Sequence, residues 1–190
     1  DDICFTSDRG RIWCYQKKSG EFRLHELPTK ARITSIHAVG NDNTVVTTDS
    51  DGFFLSNLKT NKHIHYSPVT CKELSDQPIL SAYVDRTSEV WFEQEEPGVV
   101  VHFNPATGVV KREQMRVEYS NADRSRPAFH IHEDIHGHVW VHPYGGGFSY
   151  FDRERNCLVP FYDDLGSNNW RFSNKIHAAF SDKQGNLWLC

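Results

Sequence analysis

Short runs of alternating apolar and polar residues recur along the chain. Residues 33–39 and 176–180 show the period of two that is expected when one face of a β-strand is packed. A turn signal and a second apolar run follow such segments, which is typical of a β-hairpin. The pattern therefore predicts a chain built from paired strands.

One signature of turn and strand residues recurs at a nearly constant interval. It reads Asp-x-x-Gly/Ser-x-Val/Leu-Trp and ends at Trp91, Trp140 and Trp188, which are 49 and 48 residues apart. The Asp carboxylate can accept hydrogen bonds from backbone amides of the turn, and Gly tolerates a positive φ there. The Trp opens the next strand, where its large side chain can fill the gap between adjacent sheets.

Two incomplete copies of the signature precede these three. In one copy Gly40 stands where Asp is expected and Val46 takes the place of Trp; in the other, Cys4 takes that place. Each unit continues through a Gly-bearing turn to a third strand and through another turn to a fourth. Four strands in a period of forty-odd residues are typical of a β-propeller blade.

The predicted fold is all-β, a partial β-propeller built from four-stranded antiparallel blades. We expect one propeller segment over residues 1–190, with whole blades at about 31–75, 76–125 and 126–172 and partial blades at 1–30 and 173–190. The two ends duplicate strand two, which favours a piece of a longer propeller over a closed four-bladed one. A β-sandwich is the alternative fold, but it gives no reason for Asp and Trp to repeat in phase.

Composition and charge argue against nucleic acid and an anionic membrane surface as binding partners. A net charge of −4 and a pI near 6.3 provide no basic field for nucleic acid or an anionic membrane surface. No stretch approaches the roughly 20 apolar residues of a membrane-spanning helix. The five cysteines have no Cys-x-x-Cys spacing, so we expect mostly buried apolar thiols, and a disulfide between Cys4 and Cys14 stays open.

Residues 131–152 and 174–190 resemble the two-component-regulator propeller repeat, in which an Asp-x-x-Gly-x-Leu-Trp hairpin precedes a Gly-Gly-Leu-x-x-Tyr-Asp strand. The chain departs from the repeat at Gly40, where Asp is expected, and at Ser88, where Gly is expected. It also has Glu93, His142 and Cys190 at the position, two residues after Trp, where the repeat usually has Thr. The resemblance implies the extracytoplasmic sensor region of a Bacteroidetes hybrid two-component histidine kinase. In that family the propellers help to detect oligosaccharides released from glycans and pass the signal across the membrane.

We therefore expect a periplasmic sensor segment with no catalytic activity, no cofactor and no metal. The expected partners are an oligosaccharide and a second copy in a homodimer, with no nucleic-acid contact and with the membrane reached only through the parent protein. Two alternatives stay open: a propeller lyase or hydrolase acting on a polysaccharide through His142 or His177, and a scaffold that binds only protein. Turn and strand histidines such as His136 and His138 invite a zinc site, but solvated side chains explain them without one, and we expect no metal there.

Candidate sugar-binding residues lie outside the signature, in the connections between strands. Aromatic faces stack on pyranose rings, while amides and guanidinium groups bond hydroxyls. Both linkers that join a fourth strand to the next first strand emerge on one face, and we place the hairpin after the second strand at the same rim. The candidates are Trp170, Arg171, Asn169, Tyr144, His142, Arg124 and Arg126.

Overall fold

The computed structural model of the chain describes residues 2–115, 130–142, 148–160 and 178–189. Strands are the only regular elements within these ranges. They are β1 Ile3–Asp8, β2 Arg11–Gln16, β3 Glu21–Glu26, β4 Ile33–Val39, β5 Asn43–Thr48, β6 Phe53–Asn57, β7 Lys62–Tyr66, β8 Ile79–Val84, β9 Val90–Gln94, β10 Val99–Asn104, β11 Val109–Gln114, β12 His130–Glu133, β13 Val139–His142, β14 Ser149–Asp152, β15 Cys157–Pro160, β16 Ala179–Ser181 and β17 Leu187–Leu189. The described ranges contain no helix that is long and apolar enough to cross a membrane.

The strands form five antiparallel sheets in which sequence neighbours pair with each other. Three sheets have four strands, β4–β7, β8–β11 and β12–β15, while β1–β3 and β16–β17 form smaller sheets. The first strands of neighbouring sheets lie close together, as for β4 with β8 and β12 with β16. The sheets therefore fan outward from their first strands. The prediction of four-stranded antiparallel sheets is confirmed, whereas the blade bounds stay a prediction.

The signature aspartates hold the turns between first and second strands. Oδ1 of Asp134 accepts hydrogen bonds from the backbone amides of His136 and His138, and Oδ2 accepts one from Trp140 Nε1, each at 2.9 Å. The same indole bond reaches Asp85 from Trp91 at 3.0 Å. One carboxylate thus fixes both the turn and the Trp rotamer, which confirms the structural role predicted for the repeat.

An aromatic seam joins the sheets β4–β7 and β8–β11. Phe53 stacks on Tyr66 with ring centroids 4.6 Å apart, and its ring also lies 4.6 Å from Phe92 and 4.9 Å from Phe103. Val45 is fully buried in the same cluster. This seam is held by apolar burial and ring packing, whose free energy does not depend on a charge state.

A charged seam joins the sheets β8–β11 and β12–β15. Its centre is apolar: Trp91 is fully buried and meets Phe151 edge to face, with ring centroids 4.7 Å apart. On its other side Trp91 stacks on His102 at 4.1 Å. Two arginines cross this seam at one of its ends, as described below.

The hydrogen-bond register assigns the Trp place in the sheet β4–β7 to Val45. Counted from the β-bulge near the start of β4 and β8, His37 corresponds to Tyr83. Tyr83 lies opposite Trp91, and His37 lies opposite Val45. The prediction that Val46 takes this place is therefore wrong by one residue. Successive strand residues face opposite sides of a sheet, so Val46 instead packs toward the sheet β1–β3.

The same count changes two other assignments near this turn. Val39, rather than Gly40, stands in the place of the signature Asp, while Gly40 takes the place of Arg86. Thr47 then stands two residues after the Trp place, where the repeat that this chain resembles has Thr. The β4–β7 sheet is therefore closer to the repeat in its second strand, and more divergent in its turn, than the sequence indicates.

Cys4 and Cys14 form a disulfide, which settles the pairing that the sequence left open. The two residues lie opposite each other on β1 and β2, with Cα atoms 4.1 Å apart. Cys14 is buried against the sheet β4–β7. Cys71 is buried and Cys157 half-buried, both as free thiols.

Candidate functional site

The described strand ends show where the candidate sugar-binding segments attach. Strands β13 and β15 run in the same direction, so they end at the same edge of their sheet, and β12 begins there because His130 lies opposite His142. We call this edge the linker edge. Strand two connects to strand three there, and strand four connects to the next sheet. Six candidates lie outside the described residues: Trp170, Arg171, Asn169, Tyr144, Arg124 and Arg126.

His142 is the one candidate within the described ranges, and its predicted position is wrong. It is the last residue of β13 rather than part of the following hairpin, and only 2% of its surface is exposed. His142 corresponds to Glu93 of the preceding sheet, because each residue lies two positions after a signature Trp. Glu93 is also buried. His142 therefore belongs to the packed interior next to the linker edge, and its role in ligand binding stays a prediction.

The opposite edge, which we call the turn edge, carries the connections from strand one to two and from strand three to four. Arg86 reaches from this edge across the charged seam. Its Nε lies 2.7 Å from Glu133 Oε1, its backbone amide donates to Glu133 Oε2 at 2.9 Å, and Nη1 donates to the carbonyl of Ile135 at 3.1 Å. The guanidinium thus ties the β8–β9 turn to the neighbouring sheet.

Arg153 crosses the same seam in the other direction. From the β14–β15 turn its Nη2 donates to Asp85 Oδ2 at 2.9 Å, and its Nη1 donates to Glu89 Oε2 at 3.1 Å and to Thr87 Oγ1 at 3.3 Å. The Asp85 side chain is fully buried, so this pairing balances a charge that burial would otherwise disfavour. Sequence reasoning missed both arginines, because Arg86 occupies a variable position of the signature and Arg153 lies outside it.

Glu89 connects this ion pair to the aromatic centre of the seam. Its Oε2 lies 3.0 Å from His102 Nε2, and its Oε1 accepts a hydrogen bond from Asn104 Nδ2 at 2.9 Å. Burial lowers the pKa of His102, although the Glu89 carboxylate partly opposes that shift. The lowered pKa favours the neutral imidazole, so the Asp85 and Glu89 carboxylates outnumber the Arg153 guanidinium by one charge.

The signature carboxylates have depressed pKa values for the same structural reason that they hold the turns. Burial raises the pKa of Asp134, but hydrogen bonds from Trp140 and His138 outweigh burial and lower it to about 2. For Asp182 the side chains of Asn186 and Trp188 lower the pKa to about 2. These groups are ionised anchors at neutral pH and are poorly suited to donate or accept protons in catalysis.

The histidines of the β12–β13 turn have contacts of their own. His138 Nδ1 lies 2.9 Å from Asp134 Oδ2, and the His136 and His138 rings are 6.1 Å apart. Within the described ranges no group of three His, Cys, Asp or Glu side chains could hold a metal ion. The turn therefore offers imidazoles but no metal-binding arrangement in this part of the chain.

A cleft of about 460 Å³ opens at the turn edge between the sheets β4–β7 and β8–β11. The places of both crossing arginines hold smaller residues there: Gly40 takes the place of Arg86, and Pro105 takes the place of Arg153 in the turn after the third strand. We call the polar lining formed by Glu89, Asn104 and Arg153 the polar wall, and Val39, Pro105 and Ala106 add apolar lining. The lining residues are Val39, Gly40, Asn43, Thr87, Ser88, Glu89, Asn104, Pro105, Ala106 and Arg153.

No family model and no curated protein sequence matches the chain. Solved structures do match it. The extracellular domain of a hybrid two-component system from B. thetaiotaomicron has a TM-score of 0.59 and 16% identity, over 99% of this chain and 30% of that one. A second such domain from the same organism has a TM-score of 0.61 and 20% identity, over 100% of this chain and 24% of that one.

An enzyme also shares the architecture. Virginiamycin B lyase from Staphylococcus aureus has a TM-score of 0.60 and 12% identity, over 98% of this chain and 61% of the lyase. At such identities a structural likeness shows the fold and not the activity. The chain spans less than a third of the two sensor domains. Their likeness confirms, at the level of the fold, the resemblance to two-component sensor propellers that residues 131–152 and 174–190 indicate.

Proposed function

We propose that this chain is part of the extracytoplasmic sensor domain of a hybrid two-component system that detects glycan-derived oligosaccharides. The observation that carries the proposal is the likeness of the whole chain to two extracellular domains of such systems. The Cys4–Cys14 disulfide supports the compartment, because such bonds persist in oxidising environments. Kinase activity and membrane passage belong to the rest of the parent protein.

The ligand site of this proposal is the linker edge. Connections that leave a rigid sheet are free to vary in sequence while the sheet holds their ends, which suits recognition of different ligands. Around the sheet β12–β15 these connections carry Tyr144, Trp170 and Arg171 together with Arg124 and Arg126. Ring faces and guanidinium groups are the side chains that bind sugars well. The chain acts here by binding and transmits the signal without turnover.

Calorimetry tests the proposal directly. The 190-residue chain is titrated with a panel of plant and host oligosaccharides, and we expect heat with at least one member. Trp170→Ala should weaken that binding about tenfold, since an aromatic contact contributes on the order of 0.5–1.5 kcal/mol beyond the area it buries. The control is Phe22→Ala, an exposed ring on β3. Absence of heat with every sugar contradicts direct ligand binding by this chain.

A lyase or hydrolase is the second candidate function, and the match to 61% of virginiamycin B lyase is the observation that favours it. The test is turnover of any polysaccharide that is lost in His177→Ala. We expect no turnover, because the repeated aspartates are turn anchors whose carboxylates are held by backbone amides and tryptophan indoles. Self-association into a homodimer is a further part of the proposal, and sedimentation at several concentrations tests it.

A further inference from the structure

The cleft at the turn edge lies at the end of the sheets opposite the linker edge, so the proposed oligosaccharide site does not account for it. We propose that this cleft is a second carbohydrate site, which binds a single pyranose ring without negative charge. Its volume of about 460 Å³ lies in the range of small-molecule pockets, roughly 300–1,000 Å³. That space accommodates one ring and leaves the remainder of a longer glycan in solvent.

The polar wall is fixed before a ligand arrives. Asn104 donates to Glu89 at 2.9 Å, Arg153 donates to Glu89 at 3.1 Å, and Asp85 holds the same guanidinium at 2.9 Å. Because these side chains are already ordered, binding costs little additional side-chain entropy.

The polar wall also retains unused hydrogen-bonding capacity. A guanidinium has five N–H donors, and Arg153 is 35% exposed, so its remaining donors can reach a ligand in the cleft. Each carboxylate oxygen of Glu89 can accept more than one hydrogen bond. Vicinal hydroxyls of a sugar need this combination of an acceptor and a planar donor side by side.

Apolar side chains of the cleft match the other surface of a sugar ring. Pro105 and Ala106 line the cleft together with Val39, which is buried. The axial C–H groups of a pyranose form an apolar patch that packs on such side chains. A Cβ added at Gly40 would meet no atom within 4 Å, so the cleft beside this residue is open space.

Charge selects among sugars. Two carboxylates, Asp85 and Glu89, face one guanidinium, Arg153, across distances near 3 Å. The excess negative charge disfavours uronic acids and sulfated sugars and favours an amino sugar. At a partly exposed site the resulting preference is modest, on the order of threefold between neighbouring charge states at low salt.

Ligand-observed saturation-transfer NMR on the 190-residue chain tests the proposal. The probes are methyl glucoside, glucosamine and glucuronate at millimolar concentration. We expect transfer to the first two, strongest for glucosamine, and about a third as much or less for glucuronate. Equal or stronger transfer to glucuronate would overturn the proposal.

Two glycine variants locate the bound sugar. Gly40→Asn places an amide in the cleft, and Asn is among the residues that best tolerate the φ of +60° found there. Gly20→Asn is the matched control: its φ is +74°, its Cβ also meets open space, and it lies in the β2–β3 turn outside the cleft. We expect transfer to be lost in Gly40→Asn and kept in Gly20→Asn. If Gly40→Asn melts well below the control, Ala106→Trp at the exposed rim replaces it, and transfer that survives the blocking variant overturns the proposal.

The same variants separate this site from the proposed oligosaccharide site. Gly40→Asn should leave the calorimetric heat of the oligosaccharide unchanged, and Trp170→Ala should leave monosaccharide transfer unchanged. If Trp170→Ala abolishes the transfer instead, the monosaccharide binds at the linker edge; the cleft proposal then fails while the proposed function stands.

Discussion

The two seams between the complete sheets solve one packing problem in different ways. The aromatic seam places the ring centroids of Phe92 and Phe103 each less than 5 Å from that of Phe53. The charged seam has an apolar centre around Trp91 but adds Arg86 and Arg153 at its turn edge, each bound to carboxylates of the opposite sheet. Apolar burial is non-directional and holds the sheets together without fixing their relative position. The paired arginines also fix that position, because their hydrogen bonds are directional.

The comparison also shows what lines the open space at each turn edge. At the charged seam a cavity of about 530 Å³ opens there, and both crossing guanidinium groups line it. At the aromatic seam Gly40 and Pro105 stand in the places of those arginines, and they line the cleft of about 460 Å³. The aromatic seam therefore relies on its core for cohesion and can offer its edge to a ligand.

The largest expected effect comes from breaking the aromatic seam. Phe53→Ala removes a fully buried ring that contacts three others, and it should lower the free energy of unfolding by about 3–5 kcal/mol. Urea unfolding followed by fluorescence measures this loss. Phe22→Ala is the control: its ring is 58% exposed, and we expect a change within about 0.5 kcal/mol. A loss below about 1 kcal/mol in Phe53→Ala would show that the seam tolerates a cavity.

Breaking the charged seam should cost less. Arg86→Met leaves the Glu133 carboxylate, which is only 6% exposed, without its cation; because Arg86 itself is 49% exposed, we expect a loss of about 2 kcal/mol in urea unfolding. Arg11→Met breaks an ion pair whose two side chains are both more than half exposed, so it should cost less than about 1 kcal/mol. The double variant Arg86→Met/Glu133→Leu should recover part of the loss. Equal losses in the two single variants would contradict the difference in burial.

A pH-dependent effect, similar in size to that of Arg86→Met, separates the turn anchors from the aromatic seam. The folded pKa of Asp134 is about 2, below its ordinary value of 3.8, so the stability it adds is present above pH 4 and is lost as the pH falls toward 2. Between pH 5 and pH 2 the wild type should lose about 2 kcal/mol through this group. Asp134→Asn should show a correspondingly flatter pH dependence of unfolding. Phe53→Ala should keep the wild-type slope at lower overall stability, and a changed slope there would mean that the Asp134 turn and the aromatic seam are coupled.

Local chemistry explains why the sequence predicts the signature turns. The Asp85–Trp91 and Asp134–Trp140 bonds span six residues, so the signature contains both partners of each bond. The contacts of Arg153 with the β8–β9 turn span 64 to 68 residues. Nothing in the local pattern identifies such a partner.

Two other features are settled by the folded chain alone. Val45 and Val46 are equally apolar, so only the hydrogen-bond register decides which of them faces the aromatic seam. The cleft is lined by residues of several turns that are far apart in sequence, so no local motif predicts it. The predicted sugar-binding residues belong to irregular connections, whose side-chain types the sequence gives without their placement.

The disulfide between Cys4 and Cys14 has a consequence for how such sheets diverge. It is a pair between second and third strands that faces the following sheet, and in the next two sheets that position is filled by Val45 with Leu55 and by Trp91 with His102. The same position between two sheets is therefore occupied by a disulfide, by two aliphatic side chains or by a stacked indole–imidazole pair. Each sheet can therefore change its residues at this position independently of the others, because only the side-chain volume between the sheets has to be kept.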